Sequence, residues 1–531
     1  MIEKGEWIIP TSYADEFAYK PPLTHWLIAS FSLILNKGEV TPFTSRLPST
    51  LAFIAMMGVC FLFFARRRSI REAFIACLVC ITCFEIHRSA MTTRIDMLLT
   101  FFLVSGIIQL VNWYEKRRMG QLLCSWLMLG GAALTKGPVG IVMPCLILGV
   151  YQLIRKEPFF RAVWRCVCLG LPPLILLSWW YFAAYRIHGD DFLTKAFAEN
   201  IGRFFSMSTE ALGTDYNLGV ENPWYYYPLS MAAGLLPWTI PLLVSLFFIR
   251  YKRVGACFDR VKAMDKAGLY GLTVIVISLL FFTIPSSKRS TYILFIYPFV
   301  ALFIARFFLY LTEKRPLAIR ISTTILTVAG IAVLLVVGLS FAGILDLESL
   351  SHHLSKRERT LRDIKLFADL FRYPGWPGLW AMTALLAAVC ITGCLIWKKN
   401  CYRILMAGFG VVCTINICMD SFFLPAFKNG YSPRPFAEQI SRAYDLENRT
   451  YVMNNLLKYK NLYGLNFYLR NNFRNFEKEQ PEEGFFITLS EYAAGIKAEY
   501  GNRYEFIQLE ASTVFNEYKE EMLLFRIRKK Q

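Results

Sequence analysis

Charge is what this chain has least of. Asp, Glu, Lys and Arg make up 18% of its 531 residues, where a soluble domain carries about 25%. That deficit excludes a chain that faces water along its whole length. Acidic residues are the scarcer kind, 39 against 58 Lys and Arg, which leaves a formal charge of +19. Histidine is nearly missing, and His25, His87, His188, His352 and His353 show no H-E-x-x-H spacing, so a helical zinc-protease motif is excluded. A zinc site assembled from remote carboxylates stays open. The 14 cysteines all lie between Cys60 and Cys418, with none in 1–46 or after 425. Segments that face an oxidising compartment are expected to avoid stray thiols in this way. "CLVCITCF" spaces Cys77, Cys80 and Cys83 by three, but the fourth ligand of an iron–sulfur cluster is missing, and one small-residue face of a membrane helix is the simpler reading. There is no fixed-period repeat and no low-complexity tract.

What is present in excess is apolar length. Twelve apolar segments recur between Leu47 and Leu424, most of them near the roughly 17–25 residues that cross hydrocarbon. They are Leu47–Ala65, Ala73–His87, Met97–Tyr114, Gln121–Thr135, Val139–Ile154, Val163–Tyr185, Met231–Ile249, Leu269–Ile284, Thr291–Leu311, Ile321–Leu345, Leu379–Trp397 and Ile404–Leu424. Basic residues crowd every second connection: "ARRRSIRE" at 65–72, "YEKRRMGQ" at 114–121, "RKEPFFRAVWR" at 155–165, "RYKRVGACFDRVKAMDK" at 250–266, "TEKRP" at 312–316 and "WKKNCYR" at 397–403. By the positive-inside rule these loops are cytoplasmic, so the basic balance reports topology and not nucleic-acid binding.

The remaining connections then lie outside: the turns around Arg88–Asp96, Lys136 and Lys288, the loops 186–228 and 346–376, and the tail. The predicted organisation is an extracytoplasmic entry segment over 1–46, a membrane body over 47–424, and a soluble α/β domain over 430–531 behind the turn-rich linker "FKNGYSPRPF". In the tail, "TYVMNN", "GFFITLS", "YEFIQLE" and "MLLFRIR" read as strands, with helices around Leu465 and over 491–500.

Ionisable residues at the outer ends of membrane helices mark candidate chemistry. They are Glu85, Arg88, Arg94 and Asp96, then Lys136 in "ALTKGPVG", then Lys288 and Arg289 in "IPSSKRSTY". "EFAYKPPLTHWLIASF" adds Lys20, set on a stiff extended approach by Pro21 and Pro22, ahead of an apolar run too short to span. Cations outside the membrane run against the positive-inside bias, and a lipid phosphate is their natural partner. Snorkelling explains any one of them, but not why Lys20, Lys136 and Lys288 each adjoin a residue or turn that fixes the backbone. Asp96 opens a helix, where its charge suits the dipole. It is also the candidate catalytic carboxylate, as a base or as a partner for Arg94. Tyr225, in "NPWYYYP", belongs to an interfacial aromatic belt or to a sugar or polyprenyl site.

"EKGEWIIP…YKPPLTHWL", "SRLPSTLA", "RIDMLLTFF", "ALTKGPVG", "NPWYYYP…GLLPW" and "IPSSKRSTYILFIYP" stand in the order found in bacterial membrane glycosyltransferases of the aminoarabinose-transferase type. The chain resembles this group, which is related to the protein O-mannosyltransferases and has the GT-C fold, from about residue 2 to 300. The resemblance implies transfer of a sugar from an undecaprenyl phosphate carrier to an acceptor such as lipid A, at the outer face of the inner membrane. It implies that Lys20, Lys136 and Lys288 face the carrier phosphate with Arg88 and Arg94 nearby, and that Leu23–Leu35 lies along the membrane surface. Arg289 and Tyr225 complete the expected substrate contacts. The reaction it implies is an inverting displacement that needs no nucleotide or redox cofactor; a divalent metal is left open.

Two departures stand out. Tyr19 occupies the place where the group has an acid before "KPP", and the group's Asp–Glu pair upstream of "GEW" has no counterpart, since Asp15 and Glu16 lie on the other side of that motif. One more apolar helix of about 20 residues is expected ahead of Met1, with such an acidic pair following it shortly before Met1. The competing readings are a lipid or sugar transporter, which would break its helices at the midplane, and a protein O-glycosyltransferase of the same fold.

Overall fold

Short polar caps fix where the apolar helices begin. Thr41 and Thr44 form a reciprocal capping box, with Thr44 N donating to Thr41 Oγ1 at 3.2 Å and Thr41 N to Thr44 Oγ1 at 2.9 Å. Pro42 sits at the first helical position, and the helix Pro42–Arg67 follows. Ser69 caps Ile70–Thr82 and Asp265 caps Lys266–Thr283 in one direction, each side chain accepting from the backbone N–H three residues on, Glu72 and Gly268. Asp265 also holds Arg68 at 2.7 Å and Arg306 at 3.5 Å, and Arg67 pairs with Glu115 at 2.6 Å, so the basic helix ends are tied to one another. The computed structural model describes all residues except 14–16, 206, 208–220, 249–260, 262, 350–357, 454–457, 514–515 and 531, and the side chains of 358 and 359. The expectations placed on Asp15, Glu16, His352, His353 and "RYKRVG" fall outside the described residues.

The chain divides into two units, one of Met1–Pro10, Phe17–Leu326 and Thr392–Val412, the other of Thr11–Glu16, Thr327–Ile391 and Cys413–Gln531. All twelve expected segments are helical over most of their length. Among the described residues, however, eight helices are long and apolar enough to cross a membrane, or nine if a bent pair counts as one. The difference has local causes. Val139–Ile154 has 16 residues, and Met119–Lys136 is diluted by Gln121, Ser125 and Lys136. The segment expected over 73–87 breaks at Cys83 into Ile70–Thr82 and Phe84–Ala90. The one expected over 231–249 is the bent pair, Tyr226–Gly234 and Thr239–Leu246, meeting at 107°. The chain is a multi-pass membrane protein.

Three expected loops contain helix. Phe159–Phe197 runs well past Tyr185, changing direction at Gly189 (φ 61, ψ −142), and passes into a π-helical turn, Ala198–Gly202. Only glycine adopts that backbone conformation readily. Glu358–Arg372 is helical inside the expected loop 346–376. The expected linker 427–436 is mostly helix, Leu424–Gly430 and Arg434–Ala443, because the turn formers act only at Tyr431–Pro433. Arg88, expected in a turn, is on Phe84–Ala90.

The second unit holds a five-stranded mixed sheet in the order β2-β1-β3-β5-β4: β1 Thr450–Val452, β2 Phe473–Asn475, β3 Glu483–Leu489, β4 Tyr504–Ala511 and β5 Met522–Lys529. β1 runs parallel to β2 and β3, and β5 lies antiparallel between β3 and β4. Met522 and Leu524 enter one apolar cluster with Phe436 and Ile440, while Leu523 and Phe525 enter another with Phe476 and Ile496. Burial on both faces explains why "MLLF" is continuously apolar. The strand β2, with three residues, was not apparent in the sequence. Tyr13 packs on this unit, its ring edge-on to Tyr463 and Phe473, and its hydroxyl accepts from Leu462 N at 2.8 Å.

Candidate functional site

"LTKGP" ends one helix and starts the next. Lys136 closes Met119–Lys136, Gly137 turns the chain at φ 84 and ψ −153, and Pro138 opens Val139–Ile154. The lysine amine is thereby fixed in place: Nζ lies 2.8 Å from Asp96 Oδ1 and 4.5 Å from the centre of the Tyr292 ring. Asp96 sits in the first turn of Ile95–Lys116, where the dipole favours its charge. Both side chains are largely buried, Lys136 at 16% and Asp96 at 13% exposure. A Cβ at Gly137 would meet Asn200 Oδ1 at 3.0 Å, so this glycine also lets Asn200 approach.

Lys20 stands ahead of Pro21 and Pro22 and the helix Leu23–Asn36. Its amine pairs with Glu199 Oε1 at 3.2 Å. Glu199 lies on the π-helical turn, and Arg203, four residues on, meets its other oxygen at 2.8 Å. Burial pushes the Lys20 amine below the ordinary lysine value against the pull of Glu199, and Lys136 and Arg203 push the same way. Lys20, Lys136 and Arg203 therefore form one electrostatic group with Asp96 and Glu199, three cations against two carboxylates.

Three of these groups border a cavity of about 410 Å³, while Lys20 and Asp96 stand behind them as their ion-pair partners. Lys136, Glu199 and Arg203 contribute its charged lining, and Leu103, Val142, Phe204 and Phe281 are among its apolar walls. Such a chamber suits a ligand that is hydrocarbon for most of its length and anionic at one point.

The other expected residues gather around the "IPSSK" stretch. Lys288 is buried, and its amine donates to Asn222 O at 2.9 Å while Asn222 Nδ2 donates back to Lys288 O at 3.0 Å. Burial lowers its amine too, against the pull of Glu221. Ser287, its neighbour, lines the cavity; Lys288 is not among the lining residues. Glu85, buried, accepts from Arg88 at 2.7 Å and from Ser290 Oγ at 2.9 Å. Ser290 N donates to Tyr226 OH at 3.1 Å, so Tyr226 makes the polar contact while Tyr225 is exposed. Arg94 and Arg289 are exposed, and Arg94 acts on Asp96 through charge. His188 stacks on Phe17 at 4.3 Å, and among the described residues no three His, Cys, Asp or Glu side chains come together to hold a metal ion.

Sequence reasoning missed Glu199, Arg203, Asn200 and Tyr292. The signal available was a Glu and an Arg four apart in "AENIGRFF", the spacing of a helical ion pair, in a stretch read as loop.

The fold matches that of ArnT from Cupriavidus metallidurans, whose crystal structure was solved bound to undecaprenyl phosphate: TM-score 0.71 and 15% identity, over 99% of this chain and 91% of that one. Residues 19–182 match the family of dolichyl-phosphate-mannose–protein mannosyltransferases. The undecaprenyl phosphate-α-4-amino-4-deoxy-L-arabinose arabinosyl transferase 2 of Pseudomonas fluorescens is 25% identical over 305 residues, 55% of this chain and 50% of that protein. The chain is related to the aminoarabinose transferases and has their GT-C fold. An uncharacterized protein of Aquifex aeolicus is 25% identical over 317 residues, 58% of this chain and 56% of its own length. The chain thus spans about half the length of the curated relatives it matches. The aminoarabinose-transferase resemblance read from the motifs is sustained, and the C-terminal β-rich domain belongs to the shared fold.

Proposed function

We propose that this chain transfers a sugar from a polyprenyl phosphate carrier, undecaprenyl phosphate, to an acceptor at the outer face of the inner membrane, with lipid A as the acceptor of first choice. The observation that carries this reading is the cavity, apolar along most of its wall and bordered by Lys136 and Arg203, with Lys20 joined to Arg203 through Glu199. A polyprenyl phosphate divides in the same way, a hydrocarbon chain ending in one anionic group. The likeness in fold to a protein solved with undecaprenyl phosphate supports it.

In the proposed step an acceptor oxygen attacks the anomeric carbon, and the bond from that carbon to the phosphate oxygen breaks. The electron pair leaves with the polyprenyl phosphate, and the acceptor proton passes to a carboxylate. Charge grows on the phosphate as the bond opens, so Lys20, Lys136 and Arg203 lower the barrier in proportion to how firmly they are held. Asp96 holds Lys136, and is also the candidate to receive the proton once that pair loosens. Lys288, Arg88, Arg94, Arg289 and Tyr225 stand as outer contacts for the donor or acceptor headgroup.

The test is turnover by the purified full chain of an undecaprenyl phosphate-linked sugar in the presence of lipid A or a glycan or peptide acceptor. Transfer that is abolished by Lys20→Met in a folded protein is the expected result. Passage of the intact donor across a proteoliposome, without transfer, would replace the enzyme by a transporter.

A further inference from the structure

Glu199 is an odd resident for a phosphate-binding cavity. The residue lines the cavity, its side chain is only 9% exposed, and its carboxylate reaches both Lys20, at 3.2 Å, and Arg203, at 2.8 Å. Arg203 is in fact held by both oxygens, since Nη1 also donates to Oε1 at 2.9 Å. A carboxylate with two acceptor oxygens is the nearest side-chain imitation of a phosphate that proteins possess, and the Arg fork fits either.

We propose that Glu199 and the carrier phosphate compete for Lys20 and Arg203, so that Glu199 tunes how tightly the carrier phosphate is held and helps expel it after transfer. This rests on the function proposed above. There, the leaving group is a polyprenyl phosphate that finishes the reaction inside a cluster of three cations. Left alone, such a cluster retains its product, and release limits turnover. An internal anion that returns to the same cations weakens that hold without weakening the stabilisation of charge in the transition state to the same degree, since the charge on the phosphate is then still developing.

The place of Glu199 in the chain suits this exchange. It lies on a π-helical turn, a geometry often found at functional sites. Asn200, beside it, donates to Tyr181 OH at 3.1 Å and to Ala196 O at 2.8 Å, so the turn is anchored and sets the Glu199 carboxylate between Lys20 and Arg203.

The experiment measures binding of undecaprenyl phosphate to the full chain in detergent, with undecaprenol as the phosphate-free control. Glu199→Gln, nearly isosteric and uncharged, is expected to bind undecaprenyl phosphate about tenfold more tightly, with undecaprenol unchanged. It should also be inhibited by added undecaprenyl phosphate at lower concentration than the natural protein, and should lose kcat while KM for the donor falls. Glu199→Asp, one methylene shorter, should tighten binding in the same direction by about threefold, and it decides the matter if the Gln variant does not fold. A purely structural ion pair predicts the opposite, unchanged or weaker binding in both variants, and that result overturns the proposal. Failure of the underlying reading looks different: undecaprenyl phosphate and undecaprenol would bind alike, and Lys20→Met would change neither.

Discussion

At the scale of single residues, the site is a problem in keeping buried cations charged. Lys20 has the lowered amine of a desolvated lysine, with Lys136 and Arg203 pushing the same way. A bound phosphate favours the protonated form, so binding raises the amine back towards its ordinary value. Affinity for the carrier is therefore full below the depressed value, and falls as pH climbs through it. In the window between the two values, binding takes up a proton. Lys20→Arg, protonated at any accessible pH, should keep its affinity to higher pH than the natural protein, though its optimum affinity will be lower if the fork does not fit. Calorimetric titration of undecaprenyl phosphate in two buffers of different ionisation enthalpy checks both statements; an alkaline limb that does not move in Lys20→Arg assigns it to another group. Asp96→Asn asks a related question of Lys136. It removes the charge that holds the amine at 2.8 Å, so activity should fall by about ten- to a hundredfold with the fold retained. Recovery by Asp96→Glu, a carboxylate one methylene longer, would show that the negative charge at this position matters more than its exact reach.

The residues that sequence reasoning identified are the lysines, because a cation pinned by proline or glycine at a membrane surface is improbable without a purpose. Their carboxylate partners divide. Asp96 was visible because it opens a helix. Glu199 was not, because a break at Gly189 disguised the end of a long helix as a loop.

Elements place these residues through backbone conformations that few side chains tolerate. Gly137 and Gly189 both lie in regions where a Cβ is strained. Alanine at either should cost about 1–3 kcal/mol in backbone strain alone. At Gly137 the Cβ would also press Asn200 at 3.0 Å and Tyr181 OH at 3.3 Å, beside Glu199, so activity should fall by more than stability does. At Gly189 nothing lies within 4 Å, so its alanine variant isolates the backbone term and the aim of the segment that carries Glu199. Gly120→Ala, in a helix with open space around it, should be neutral or slightly stabilising, by up to about 1 kcal/mol. Thermal unfolding followed with activity on the same samples separates the two effects. A Gly137→Ala protein with natural activity would show that the Lys136 turn need not be exact. Hydrophobic periodicity located the helices well, since each of the apolar segments is helical. It could not show that Tyr226–Gly234 and Thr239–Leu246 meet at 107° or that Glu358–Arg372 packs Phe367 and Phe371 against Phe427 and Phe423, because those features depend on what lies beside each helix.

For the molecule as a whole, the distribution of cations and thiols makes a joint prediction about sidedness. The proposed topology puts the lysine- and arginine-rich connections in the cytoplasm and the five-stranded sheet outside. Cysteine placement agrees with this, all 14 lying between Cys60 and Cys418 and none in the sheet domain. An impermeant maleimide added to intact spheroplasts should therefore leave the natural chain unlabelled. It should label Ser432→Cys, at the partly exposed turn between Leu424–Gly430 and Arg434–Ala443. Lysis should then expose Cys257, in the basic connection 250–266, which becomes reactive in both proteins. The two variants differ by a single thiol, so the comparison does not depend on how many membrane cysteines the reagent can reach. The outcome also bears on the chemistry. A polyprenyl-linked sugar is consumed on the side where its acceptor lies, so a sheet domain that labels only after lysis would place the domain on the cytoplasmic side. It would remove lipid A from consideration and leave the cavity, with Lys20, Lys136 and Arg203, in need of a different acceptor.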